Sequence, residues 1–138
     1  MLKIEVWNAL VANRSQTMRP LLAKNLPLFM QRFDNFKNGE FRSLEVISPL
    51  SIKLIFAVQD SAKEFDWITL ELEFEGVSDA KLLNASKIHL IDMSDGVNII
   101  NEEKQYAFGI GNYNKLTNIK DSICYIIASS LKYKENSF

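Results

Sequence analysis

The strongest constraint on the fold is a strict alternation of apolar and polar residues over Trp67–Glu75. Four apolar residues fall on one side of an extended chain: Ile68, Leu70, Leu72 and Phe74. Three acidic residues fall on the other side: Glu71, Glu73 and Glu75. Because successive strand side chains point to opposite faces, this pattern predicts an antiparallel strand with one buried and one solvated face. Gly76 is predicted to end that strand.

The first forty residues follow a different period. Large apolar residues recur there at intervals of three and four: Leu26, Phe29, Met30, Phe33 and Phe36. This spacing predicts an amphipathic helix that begins near Asn25 and Pro27 and ends at Asn38-Gly39. Its aromatic stripe is expected to pack on a sheet rather than to form a cofactor site. Residues 2–7 alternate like a short strand, but Leu2, Val6 and Leu10 also fit a helix.

Period-two patterns predict further strands after Gly39. They cover Phe41–Ile47, Ser51–Gln59, Val77–Leu83, Lys87–Met93, Val97–Ile100 and Gln105–Ile110. Asp95-Gly96, between two of these strands, is a typical hairpin turn. Ser122–Lys134 fits a central strand covered on both faces, or a helix through Ile119 and Ile123. Its β-branched content favours the strand.

These elements predict an α+β, mostly β fold for the 138 residues. We expect an antiparallel sheet, open or sandwich-like, with one amphipathic helix near the N-terminus packed on it. The length fits a single domain, 1–138, with a helical part over about residues 15–37 and a strand-rich part over about 40–134.

Composition excludes several classes of function. Lys and Arg total 16 against 17 Asp and Glu, and this balance argues against nucleic-acid binding. No apolar stretch reaches the roughly twenty residues of a membrane helix. Glu5 stands where a signal peptide would be apolar, so we expect a cytoplasmic protein. The 14 Ile, 12 Asn and 12 Lys suggest an AT-rich, bacterial genome.

No catalytic, metal or cofactor site is predicted. His89 and Cys124 are the only histidine and cysteine, which is too few for a His- or Cys-rich zinc site. Cys124 stands in an apolar stretch and is expected in the core. Asp92–Gly96 is expected to form a turn rather than a calcium loop. Gly109-Ile110-Gly111-Asn112 lacks the third glycine of a dinucleotide fingerprint.

The acidic row Glu71, Glu73 and Glu75 has three interpretations. It is a solvated strand face paired with lysines such as Lys53 or Lys87, a contact surface for a basic partner, or a glycosidase-like carboxylate pair. Trp67 extends the same face. We therefore take Trp67 and the three glutamates as candidate partner-binding residues.

The segment Leu72-Glu73-Phe74-Glu75-Gly76-Val77 resembles an apolar-x-Phe-x-Gly-Val element of small single-domain bacterial proteins. Some of these are immunity proteins of polymorphic toxin systems, and many have no assigned role. The resemblance implies an antiparallel sheet and a non-enzymatic protein that binds and blocks a toxin. A net charge of −1 departs from the acidic character of nuclease-blocking members.

The sequence thus favours a small non-enzymatic protein-interaction module. The alternative is a small enzyme or a carbohydrate- or small-ligand-binding protein that uses Trp67 and nearby carboxylates. A third hypothesis is a homo-oligomer formed through a sheet edge or through the stripe of Phe29, Phe33 and Phe36.

Overall fold

The computed structural model describes residues 18–138, so the segment predicted at residues 2–10 lies outside the described part. The strands, in chain order, are β1 (Arg19–Pro20), β2 (Glu40–Ser48), β3 (Ser51–Asp60), β4 (Asp66–Lys81), β5 (Val97–Glu102), β6 (Gln105–Ile110) and β7 (Tyr125–Ser137). The α-helices are α1 (Leu26–Arg32) and α2 (Leu116–Ile119). Short 3₁₀ helices lie at Ala23–Asn25, Asp34–Phe36, Ser61–Lys63 and Ala85–Leu90.

The strands form one open antiparallel sheet in the order β2-β3-β4-β7-β6-β5, and β1 also pairs with β7. The predicted α+β, mostly β class with a helix near the N-terminus is confirmed. β7 is central: it pairs with β4 along one side, and with β6 and β1 at different levels along the other.

Helix α1 packs on the inner face of the sheet through the predicted apolar stripe. All five stripe residues are buried in one core with the inner side chains of the strands. Phe29 and Phe33 meet edge to face at 5.0 Å, and Phe36 lies 5.1 Å from Phe56 of β3. The helix ends at Arg32 rather than at Asn38-Gly39. Phe36 reaches the core through a turn whose residues have positive φ, a conformation that its Asp and Asn tolerate well.

The predicted alternation of β4 is confirmed, but the prediction that Gly76 ends the strand is wrong. β4 continues to Lys81, and the separate strand predicted at Val77–Leu83 is its continuation. Gly76 has a φ of +66°, and a Cβ atom there would collide with Ser129 Oγ on β7. The glycine therefore permits a local irregularity between two long paired strands instead of a turn.

The strand predicted at Lys87–Met93 is wrong. Asn84 caps a 3₁₀ helix over Ala85–Leu90, because its side chain accepts a hydrogen bond from the Ser86 N–H at 3.0 Å. Asp95-Gly96 consequently joins no two strands, and it forms a turn that leads into β5. The β5–β6 hairpin turns at Glu103-Lys104, where both residues have positive φ, as in a type I′ turn.

The strand interpretation of Ser122–Lys134 is confirmed, since β7 occupies most of it. Ile126 and Ala128 enter the main core. Ile127 points to the other face and packs against Ala107 and Ile119, under α2. β7 is therefore covered on both faces at this end, as its apolar run predicts.

Candidate functional site

The outer face of the sheet, opposite the main core, is divided into two parts. Around β5, β6 and the start of β7, it is covered by a small cluster that includes Ile119 of α2. Over β3, β4 and the end of β7, it carries polar and charged side chains. The structure places Trp67 and the three predicted glutamates together on this second part, because they alternate with the buried residues of β4.

Lysines of β7 run alongside the glutamates of β4. Lys134 Nζ lies 3.5 Å from Glu71 Oε2, and Lys132 Nζ lies 3.3 Å from Glu75 Oε1. Glu73 stands directly opposite Lys132 in the strand register. We call these five residues of two adjacent strands the charge ladder.

The predicted lysine partners of the glutamates differ from those found. Lys53 lies opposite Glu73 on β3, but its ion pair, at 3.7 Å, is with Glu45 of β2. Lys87 belongs to the 3₁₀ helix outside the sheet and cannot pair across it. Lys132 and Lys134 were missed, although their spacing of two is the signal that places both on one face of a strand.

The charge ladder is therefore mixed in sign, since three carboxylates and two ammonium groups give it a net charge of −1. The column of carboxylates on β4 is flanked by ammonium groups on the neighbouring strand, about 4.8 Å away. Ion pairs at a solvated surface contribute about 0–1 kcal/mol each to stability. Their main consequence is that the lysines offset two of the three negative charges and weaken the attraction of the face for a basic partner.

An aromatic cluster closes one end of the charge ladder. The rings of Trp67 and Phe138 lie 6.0 Å apart at an angle of 49°, and the Arg42 guanidinium stacks 4.7 Å from the Phe138 ring. Ala57 lies between the core residues Phe56 and Val58 of β3, so its side chain points to the outer face. It is nevertheless fully buried, so neighbouring side chains cover it there. Trp67 is 37% exposed and Phe138 64% exposed. Here the term aromatic cluster means Trp67, Phe138 and Arg42.

The arrangement does not favour carbohydrate chemistry at Trp67. Glu71 stands four residues further along the same strand, about 13 Å away. The adjacent glutamates are about 6.6 Å apart along the strand, but Glu71 and Glu75 are engaged by lysines.

His89 lies in a different place, on the rim of a cleft of about 390 Å³ beside β2. Glu40 and Arg42 line the same cleft, and the Arg42 Nε–H donates to Glu40 Oε2 at 3.2 Å. The predicted turn at Asp92 is present, since Asp92 Oδ1 accepts from the Ser94 N–H. Within residues 18–138, no group of three or more His, Cys, Asp or Glu side chains could hold a metal ion.

Two sites with buried ionisable groups belong to the packed interior and not to the outer face. Arg32 of α1 donates to both carboxylate oxygens of Asp60, at 2.8 and 2.6 Å, and to Glu135 of β7 at 2.6 Å. The hydrogen bonds from Arg32 lower the pKa of Asp60, and those to Asp60 raise the pKa of Arg32. Cys124 is fully buried, as predicted, and burial raises the pKa of its thiol to about 11.

Comparison of the chain with protein-family models, with curated proteins and with solved structures finds no match in any of the three. Among the helices of residues 18–138, none is long and apolar enough to cross a bilayer.

Proposed function

We propose that this protein is a non-enzymatic protein-interaction module and that its binding surface is the outer face formed by the aromatic cluster and the charge ladder. The observation that carries the proposal is the exposed pair Trp67 and Phe138, with Arg42 stacked on it. Aromatic residues and arginine supply most of the binding energy at protein interfaces.

The charge ladder supplies the polar rim of that surface. Interfaces combine an apolar centre with charged groups at the edge, which set orientation and specificity more than affinity. Because Glu71 and Glu75 already have lysine neighbours, a matching partner presents both signs of charge. This replaces the uniformly basic partner expected from the acidic row alone.

Toxin neutralisation is the form of this function that the resemblance at Leu72–Val77 implies, and it stays a hypothesis. Leu72 and Phe74 are buried core residues, and Gly76 serves the backbone of β4. The residues that carry the resemblance therefore support the antiparallel sheet that it implies, and they do not form the binding surface. The binding surface lies on the alternate positions of the same strand.

Site-specific photo-crosslinking tests the proposed surface. A photoreactive phenylalanine analogue replaces Thr69, which lies on the outer face between Trp67 and Glu71, and the protein is irradiated in its native host cells. We expect an adduct of one defined mass that is lost when Trp67→Ala is added.

The matched control carries the same analogue at Asn118, an exposed position of α2 away from the proposed surface. It should give no adduct of that mass. No adduct from Thr69, or the same adducts from both positions, would contradict the proposal.

A further inference from the structure

The outer face is complementary to itself. Its acidic column on β4 and its basic column on β7 are adjacent and in register, with Glu71 opposite Lys134 and Glu73 opposite Lys132. A two-fold axis can be drawn above the outer face, parallel to the strands and midway between β4 and β7. Rotation about this axis generates a second molecule whose outer face lies against that of the first. The acidic column of the second molecule then lies over the basic column of the first.

Under this rotation, each β4 residue lies over its own register partner in the other molecule. Glu71 of one copy lies over Lys134 of the other, and Glu73 lies over Lys132. Since the axis is two-fold, every such contact occurs twice, which is the defining property of an isologous interface.

The aromatic cluster obeys the same symmetry. Trp67 is at the start of β4, and Phe138 lies across from it at the end of β7, because Ile68 pairs with Ser137. The axis that matches the charges therefore also places Trp67 of each copy over Phe138 of the other. The axis places every β4 residue over its register partner, so the charged and the aromatic contacts follow together from one strand pairing.

The overlap about this axis has the size of a weak interface. Over Trp67–Glu75 the β4 and β7 columns of one copy lie over the β7 and β4 columns of the other, and beside this part of β7 the described chain has only the two residues of β1. With strands about 4.8 Å apart and a rise of about 3.3 Å per residue, two columns give about 300 Å² per copy. Twice that area is below the roughly 1,200 Å² of stable interfaces, so we expect a dimer that forms at high protein concentration. Sheets that pack face to face keep their strand directions within about 30° of each other, which a two-fold axis parallel to the strands satisfies.

From these observations we infer that the partner of the outer face is a second copy of this chain, bound about a two-fold axis between β4 and β7. The inference rests on the proposed function and specifies its partner. Within the described core, the stripe of Phe29, Phe33 and Phe36 is buried and is not available for such a contact.

Sedimentation equilibrium of the full chain gives the first test. We expect a concentration-dependent species of twice the 15.8 kDa chain mass, and Trp67→Ala should weaken its association at least about tenfold. A monomer at the highest soluble concentration would overturn the inference.

A charge exchange gives the second test and separates the two-fold interface from other self-association. One variant carries Glu71→Lys and Glu73→Lys, and the other carries Lys132→Glu and Lys134→Glu, so the exchanged positions are the ones that face each other across the axis. Each alone places like charges face to face and should weaken dimerisation at least about tenfold. Mixed together, the two variants oppose unlike charges in both columns, so a heterodimer should form with an affinity close to that of the wild type.

Matched controls place the same charge changes away from the charge ladder. They are Glu103→Lys with Asp121→Lys, and Lys104→Glu with Lys115→Glu, all at exposed positions in turns or at the start of α2. Each control should dimerise by itself like the wild type. Circular dichroism confirms folding of each variant, and failure of the two ladder variants to associate on mixing would overturn the proposed axis.

The two proposals fail in different ways. A monomer in sedimentation, together with a Thr69 adduct to a different protein, overturns the second-copy inference and leaves the interaction module supported. A monomer that also forms no Thr69 adduct contradicts both.

Discussion

At the scale of single residues, the ion pair of Arg32 with Asp60 shows how a charge is held inside the protein. Asp60 is fully buried, and it accepts hydrogen bonds from Arg32 and from the Ala62 N–H. Arg32 also reaches Glu135, so one guanidinium joins α1 to the ends of β3 and β7. A buried carboxylate is tolerated only when its lone pairs are satisfied in this way.

Replacing Asp60 by asparagine tests this account. The pKa of Asp60 is lowered in the folded protein, so its contribution to stability is present above the ordinary value of 3.8 and is lost as pH falls through the folded pKa. We expect Asp60→Asn to lower the free energy of unfolding by about 2–3 kcal/mol at neutral pH.

Urea denaturation over a range of pH provides the measurement. The stability curves of the wild type and of Asp60→Asn should converge below about pH 4. Asp66→Asn, at an exposed position, is the control and should change stability little at any pH. A constant difference between wild type and Asp60→Asn down to acid pH would contradict the account.

At the scale of elements, β4 shows why a glycine in a strand pattern is ambiguous. The same residue type ends strands and permits irregularities inside them, and only the partner strand distinguishes the two roles. β7 pairs with β4 on both sides of Gly76, from Glu75 opposite Ser130 to Val77 opposite Ala128. Because β7 pairs with β4 before and after Gly76, the strand continues through the glycine.

Gly76→Ala tests the role of this glycine. The positive φ and the contact with Ser129 should together lower the free energy of unfolding by about 1–3 kcal/mol, measured by urea denaturation. Adding Ser129→Gly removes the steric contact but leaves the φ strain, so it should recover only part of the loss. Wild-type stability for Gly76→Ala would show that the backbone there is not constrained as described.

At the scale of the whole molecule, phenylalanine rings connect the helix to both halves of the sheet. Phe56 of β3 lies at the centre, within 5.1 Å of Phe36, 4.6 Å of Phe41 and 6.1 Å of Phe108. The inner face is thus filled by one continuous core. The outer face is left to the small α2 cluster and to the proposed interface.

Phe56→Ala should therefore weaken the whole fold. A cavity at this fully buried position should lower the free energy of unfolding by about 3–5 kcal/mol, a large part of the 5–15 kcal/mol typical of a domain. Thermal and urea denaturation measure it. Phe65→Ala, at an exposed position, is the control, and equal losses for the two variants would contradict the central role of Phe56.

Local patterns determined the parts of this protein that depend on residues close together in the chain. The period of two in β4 placed Trp67 and the glutamates on one face, and the stripe from Leu26 to Phe36 identified the face of α1 that is buried. Periodicity predicts such features because the geometry of one strand or helix decides which side chains share a face. Periodicity gave a wrong prediction at Lys87–Met93, where a capped 3₁₀ helix replaces the expected strand.

Only the tertiary structure decided which strands are neighbours, and with that the composition of the candidate site. Lys132, Lys134 and Phe138 lie about sixty residues from the β4 side chains they accompany, and no local pattern encodes that register. Strand pairing is fixed by burial of the whole inner face, because a slip of one residue would turn every apolar side chain outward. The sequence by itself therefore determined an acidic row, and the tertiary structure placed lysines beside it, so that the face carries both signs of charge.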